Sequence, residues 1–183
     1  MTQDTREFHA PQSINPDELG DNLARLVWES FSDFVAEGES ETALANLGLL
    51  DAEGEADQSA IEEALIFIMW THTRGAQQAF VGRAPGDLLK QSLDKLHRAV
   101  FEDMVDNGTP KSQIPFFEQR VSARYAEYHS ASAASDTSLG EAVARNLSGG
   151  HTPANSLRQV VTERAIAVTE PLRDYFEDVT LVD

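Results

Sequence analysis

Between Ala60 and Val81 the chain carries a helix-spaced run that is apolar nearly all round at its middle. Ile61, Leu65, Ile68, His72, Gly75 and Ala79 recur at three- and four-residue steps, the spacing of one helical face. Ile66, Phe67, Met69 and Trp70 cover the other sides. A helix apolar on every side must be surrounded by packing. The run therefore predicts an all-α fold organised round one long central helix. A single layer of neighbours covers only part of such a helix, so a second copy of the chain is expected to supply the rest, as a homo-oligomer.

The remainder of the chain reads as the helices that pack round it. Asn15-Pro16-Asp17-Glu18 is a helix start, with Asn15 as cap and Glu18 completing a capping box. That helix runs through Leu19, Leu23, Val27, Phe31 and Phe34 to Gly38, and a short one follows from Glu41 to Leu50. Gly82 ends the central helix. Pro85 opens the next, with Leu89, Leu93, Leu96, Val100 and Met104 on one face and Gly108 past its end. Thr109-Pro110 starts another, in which Pro115 delays the regular helix and Phe117, Val121, Arg124 and Tyr128 share a face.

Ser130 to Ser138 reads as a Ser/Ala-rich linker, and Leu139 to Leu147 as a short amphipathic piece. Thr152-Pro153 opens the last long helix, which aligns Leu157, Val161, Arg164, Val168, Leu172 and Tyr175. Pro171 is expected to kink that helix or end it early, because it removes a donor and crowds the preceding turn. Strand-like alternation is confined to Val179 to Val182. The expectation is one bundle-like domain of about seven helices over residues 15–183, after a mobile tail over residues 1–14.

A length of 183 residues suits one domain with a sizeable core. The net charge of −17 argues against binding nucleic acid through phosphates, and equally against an anionic membrane surface. Basic protein partners are electrostatically favoured. Lysine occurs only at Lys90, Lys95 and Lys111 among 14 basic residues, which fits a salt-rich cytoplasm or a GC-rich genome equally. No cysteine is present, so disulfides and thiolate metal sites are excluded. Met1 to Ile14 has no secretory pattern, and Ala64 to Trp70 is too short to span a bilayer. The expected location is the cytoplasm.

Motifs for chemistry are thin. Asp51, Glu53, Glu55, Asp57, Ser59 and Glu62 follow the register of a calcium-binding helix–loop–helix. Ala56 stands where that loop needs glycine, two of its glutamates are long for a tight loop, and Gln58 replaces the usual apolar residue; the bland reading is a solvated acidic loop. A two-metal bundle needs Glu-x-x-His pairs, whereas this chain offers only Asp94 and His97, read as a local surface pair, and Glu127 with His129 on different faces. Neither a Gly-x-Ser-x-Gly elbow nor a glycine-rich phosphate loop occurs, and one core histidine does not make a haem site. No metal or cofactor is expected.

Three polar residues sit on apolar stripes: His72, Arg124 and Arg164. A bare buried charge costs several kcal/mol, so each must find a partner or reach water. Internal pairing, Arg124 or Arg164 with Glu63, Glu118 or Glu163, is one outcome. The other is a shared anion-binding pocket built by His72, Arg124, Tyr128 and Arg164, with Phe116, Phe117 and Tyr125 nearby. Arg74, one turn from Trp70, is set for a cation–π contact. The leading expectation is a non-catalytic interaction or regulatory module that self-associates. The alternative is a ligand-binding domain, or an enzyme, using that pocket.

Overall fold

Capping chemistry sets the helix starts. In the computed structural model, which describes residues 12–36, 53–54, 57–153 and 155–183, Asn15 Oδ1 accepts from Glu18 N (2.9 Å) and Glu18 Oε2 accepts from Asn15 N (3.0 Å). The expected capping box is formed, and it opens α1 (Pro16–Ala36). Asp57 Oδ1 caps α2 (Gln58–Phe80) by accepting from Ser59 N and Ala60 N. There follow α3 (Gly86–Asp106), a 3-10 turn (Lys111–Gln113), α4 (Ile114–Ala134), α5 (Asp136–Leu147) and α6 (Asn155–Phe176). The all-α class holds, with six α-helices among the described residues. The short helix expected over Glu41 to Leu50 lies outside them.

Three expectations need correction. The stretch from Ser130 to Ser138 is not a linker: α4 continues to Ala134, and Ser135 alone separates it from α5. Alanines carry the first helix, and Ser135, in extended backbone, caps the second by accepting from Ser138 N (3.0 Å).

Pro171 does not end α6. An internal proline costs about 3 kcal/mol, but Leu172 and Phe176 beyond it are buried, and Phe176 packs on Phe80 with ring centroids 5.3 Å apart. Arg83 closes the same end. Its Nη2 donates to the carbonyls of Phe176, Glu177 and Val179, and its Nη1 to that of Ala79.

Residues 12–14, expected in the mobile tail, instead form β1 (Gln12–Ile14), which pairs in parallel with β2 (Val179–Leu181). Gln12-Ser13-Ile14 holds a single apolar residue, whereas Val179-Thr180-Leu181 alternates, so only the β2 half is visible in the sequence.

Helix α2 touches all five other helices, and every residue from Ala64 to Thr73 is buried. Close approach needs small residues: a Cβ on Gly75 would lie 2.6 Å from Leu172 Cδ1 of α6. Because its own chain encloses α2, an all-round apolar helix no longer argues for a second subunit. Two stripes hold at most of their expected positions and shift by one residue at the others. In α3 the buried column is Leu88, Ser92, Leu96, Val100 and Met104. In α6 it is Leu157, Val161, Ala165, Val168, Leu172 and Phe176, which leaves Arg164 and Tyr175 on the flank. No helix among the described residues is long and apolar enough to cross a membrane.

Candidate functional site

The four residues expected to share a pocket separate into two places. Arg124 and Tyr128 of α4 face α2 and α5. Arg124 bonds the buried Glu63 through two parallel contacts, Nε to Oε2 at 2.8 Å and Nη2 to Oε1 at 2.9 Å. Those bonds raise the guanidinium pKa above its ordinary value, against the opposing effect of desolvation. Arg120 reaches Glu63 at 3.7 Å and pairs with Glu62, while Glu127 takes Arg124 at 3.7 Å and Arg145 at 2.9 Å.

Asn146 Nδ2 extends this layer by donating to Glu127 Oε2 (2.9 Å) and the Tyr128 hydroxyl (3.3 Å). Tyr128 is buried against the edge of Trp70, and burial raises its pKa. Three carboxylates meet three guanidiniums, so the layer is electrically closed. The internal pairing of Arg124 with Glu63 is the outcome realised here, and Arg74 stacks over Trp70 as expected, 5.3 Å from the ring centroid.

His72 and Arg164 do come together, on the opposite side of α2. His72 is 2% exposed. Its Nδ1 lies 2.8 Å from Ile68 O, and a carbonyl can only accept, so Nδ1 carries the proton. Nε2 is then the acceptor for the Ser30 hydroxyl at 3.2 Å. Burial lowers the imidazole pKa, partly opposed by the bond to Ile68, which keeps the ring neutral at pH 7. A cavity of about 310 Å³ opens here between α1 and α6. His72, Ser30 and Arg164 bring polar groups to it, and Leu26, Val168 and Leu172 form apolar wall.

A larger feature was not expected: a groove of about 750 Å³ between α3 and the 3-10 turn with the start of α4. His97, Phe101, Val105 and Ile114 are its half-buried floor. Asp94, Glu102, Asp106 and Glu118 stand exposed on its rim with Arg98 and Lys111. His97 is no surface partner of Asp94, which bonds Lys90 instead (2.6 Å). Its Nδ1 donates to Leu93 O (2.6 Å), and its Nε2 accepts from the Tyr125 hydroxyl (2.8 Å), which lies 3.4 Å from Thr73 Oγ1. Burial lowers the His97 pKa and raises that of Tyr125. The sequence signal for the groove is the second apolar column His97, Phe101, Val105 beside the main stripe of α3.

Phe116 and Phe117 part company. Phe117 is buried and meets Phe101 edge to face at 5.9 Å, whereas Phe116 is 72% exposed. In the calcium-like register, Asp57 is a helix cap, Ser59 and Glu62 belong to α2, and Glu62 pairs with Arg120. Asp51 and Glu55 lie outside the described residues. Among the described residues no group of three or more His, Asp or Glu side chains is arranged to hold a metal ion. Comparison of the chain with protein families, with curated proteins and with solved structures finds no match.

Proposed function

We propose that this chain is a non-catalytic interaction module whose α3–α4 groove receives a basic, amphipathic segment of a partner protein. The observation that carries this reading is the groove's composition. An apolar floor of Phe101, Val105 and Ile114 is bordered by four carboxylates and two cations. Apolar anchors at helical spacing would lie on the floor while basic side chains meet Glu102, Asp106 and Glu118. The chain's charge of −17 adds long-range attraction for such a partner.

The state of His97 supports a binding role over a catalytic one. Both of its ring nitrogens are engaged inside the protein, so neither is presented to a substrate. A cytoplasmic setting belongs to the same reading. Self-association is not needed by it.

Fluorescence anisotropy with a labelled Lys/Leu amphipathic peptide tests the proposal. Reversing the groove rim with Glu102→Lys and Glu118→Lys should weaken binding about tenfold or more. The same two-charge reversal on α6, Glu163→Lys with Glu170→Lys, should cost much less. Equal losses in the two variants would mean that the peptide reads only diffuse charge, and the groove assignment would fall.

A further inference from the structure

The α3–α4 groove has a neighbour on the other side of α3. A recess of about 440 Å³ lies between α3 and α1, and Glu102 lines both it and the groove. Trp28 and Glu29 of α1 border the recess with Ala99 and Asp103 of α3. We propose that it receives an arginine side chain of the same basic segment that lies in the groove, the guanidinium resting on the Trp28 indole beside the carboxylates of Glu102 and Asp103. The inference rests on the groove reading and adds to it the identity of one partner residue.

Charge complementarity selects a cation. Two carboxylates of the recess are already matched within the fold: Glu29 bonds Arg25 at 2.7 Å, and Asp21 lies 3.4 Å from Lys95. The other two are not. Glu102 and Asp103 make no ion pair among the described residues. Two uncompensated carboxylates thus stand beside an aromatic ring, at the edge of a groove already suited to basic side chains.

The aromatic wall selects arginine over lysine. Tryptophan is the strongest cation–π partner, and a planar guanidinium stacks on an indole while its edge donates to carboxylates. Lysine brings a compact, strongly hydrated charge that cannot do both. The wall is also set in advance. Trp28 Nε1 donates to Asp103 Oδ2 at 2.8 Å, which fixes the half-buried indole against the carboxylate, and Phe31 meets the ring edge to face at 5.7 Å. An arginine entering from the groove therefore finds ring and carboxylate already positioned. The small side chains of Ala24 and Ala99 leave room beside the indole for its stem.

Two labelled amphipathic peptides test the inference by fluorescence anisotropy: the Lys/Leu peptide, and the same sequence with every lysine replaced by arginine. The arginine peptide should bind about fivefold more tightly. Trp28→Leu, its fold checked by circular dichroism, should remove that preference. A second readout needs no variant. The chain has two tryptophans, and NMR of their indole N–H groups should show the arginine peptide shifting Trp28, held by Asp103, while the buried Trp70 stays in place. Lys/Leu binding without an arginine preference, a preference that survives in Trp28→Leu, or an unmoved Trp28 indole with the arginine peptide bound would overturn the inference and leave the groove reading standing. Absence of binding by both peptides would overturn the two together.

Discussion

On the side of α2 facing α4 and α5, three carboxylates and three guanidiniums neutralise one another across the helix faces. On the side facing α1 and α6, Arg164, the His72 ring and the Ser30 hydroxyl meet at the described wall of a cavity. Both regions place polar groups beside the same central helix, and both grow from polar residues on or beside apolar stripes. The difference lies in what the facing helix presents. Opposite Arg124 stands Glu63, buried and bonded twice, so that region holds the fold together and has no charge left for a ligand. Opposite His72 stands the Ser30 hydroxyl, and a cavity adjoins the pair.

Removing Glu63 is the harshest way to break the contrast. Glu63→Gln leaves the Arg124 guanidinium without its buried counter-ion and should cost about 3 kcal/mol of unfolding free energy in urea titrations. The double variant Glu63→Met with Arg124→Met should recover part of that loss, because an apolar pair leaves no stranded charge. Comparing the two arginines sharpens the point. Arg124→Met takes both hydrogen bonds from the buried Glu63, leaves it Arg120 at 3.7 Å, and should cost about 3 kcal/mol, whereas Arg164→Met gives up contacts on the helix flank, the Phe34 ring among them, and should cost about 1 kcal/mol. Equal costs would erase the distinction between the two regions.

A smaller loss is expected from acidification. Burial lowers the pKa of both His72 and His97, so the folded protein holds them neutral while the unfolded chain protonates near pH 6.5. Between the unfolded and folded values the unfolded state binds more protons. Stability should therefore be complete above about pH 6.5 and decline as pH falls through the folded values. A decline that begins only near pH 4 would point to carboxylates instead. His97→Gln should flatten the decline while keeping an acceptor for Tyr125. The least of these effects is Ser30→Ala, which deprives His72 Nε2 of its donor and should cost about 1 kcal/mol, measured by thermal melting.

Much of the fold is legible in the sequence because periodicity reports burial directly. The enclosure of α2, the capping box at Asn15 and the break at Gly82 each follow from local chemistry. What stays hidden depends on contacts between distant segments. Pro171 is tolerated because Phe176 finds Phe80, and β1 exists because β2 passes beside it. A helical wheel also cannot resolve one residue of rotation. It puts Arg164 and Tyr175 on the core stripe of α6, where Ala165 and Phe176 stand. That single step moves Arg164 from the core to the flank of a cavity. His97 is hidden for the complementary reason: its partner, Tyr125, lies on another helix.

The central claim is that Arg124 is committed to the fold through the buried Glu63. Exchange of the arginine Nε–H protons with solvent, followed by side-chain nitrogen NMR, tests it most directly. The Arg124 signal, held by Glu63, should exchange far more slowly than that of the exposed Arg98. Equal exchange at Arg124 and Arg98 would contradict the assignment.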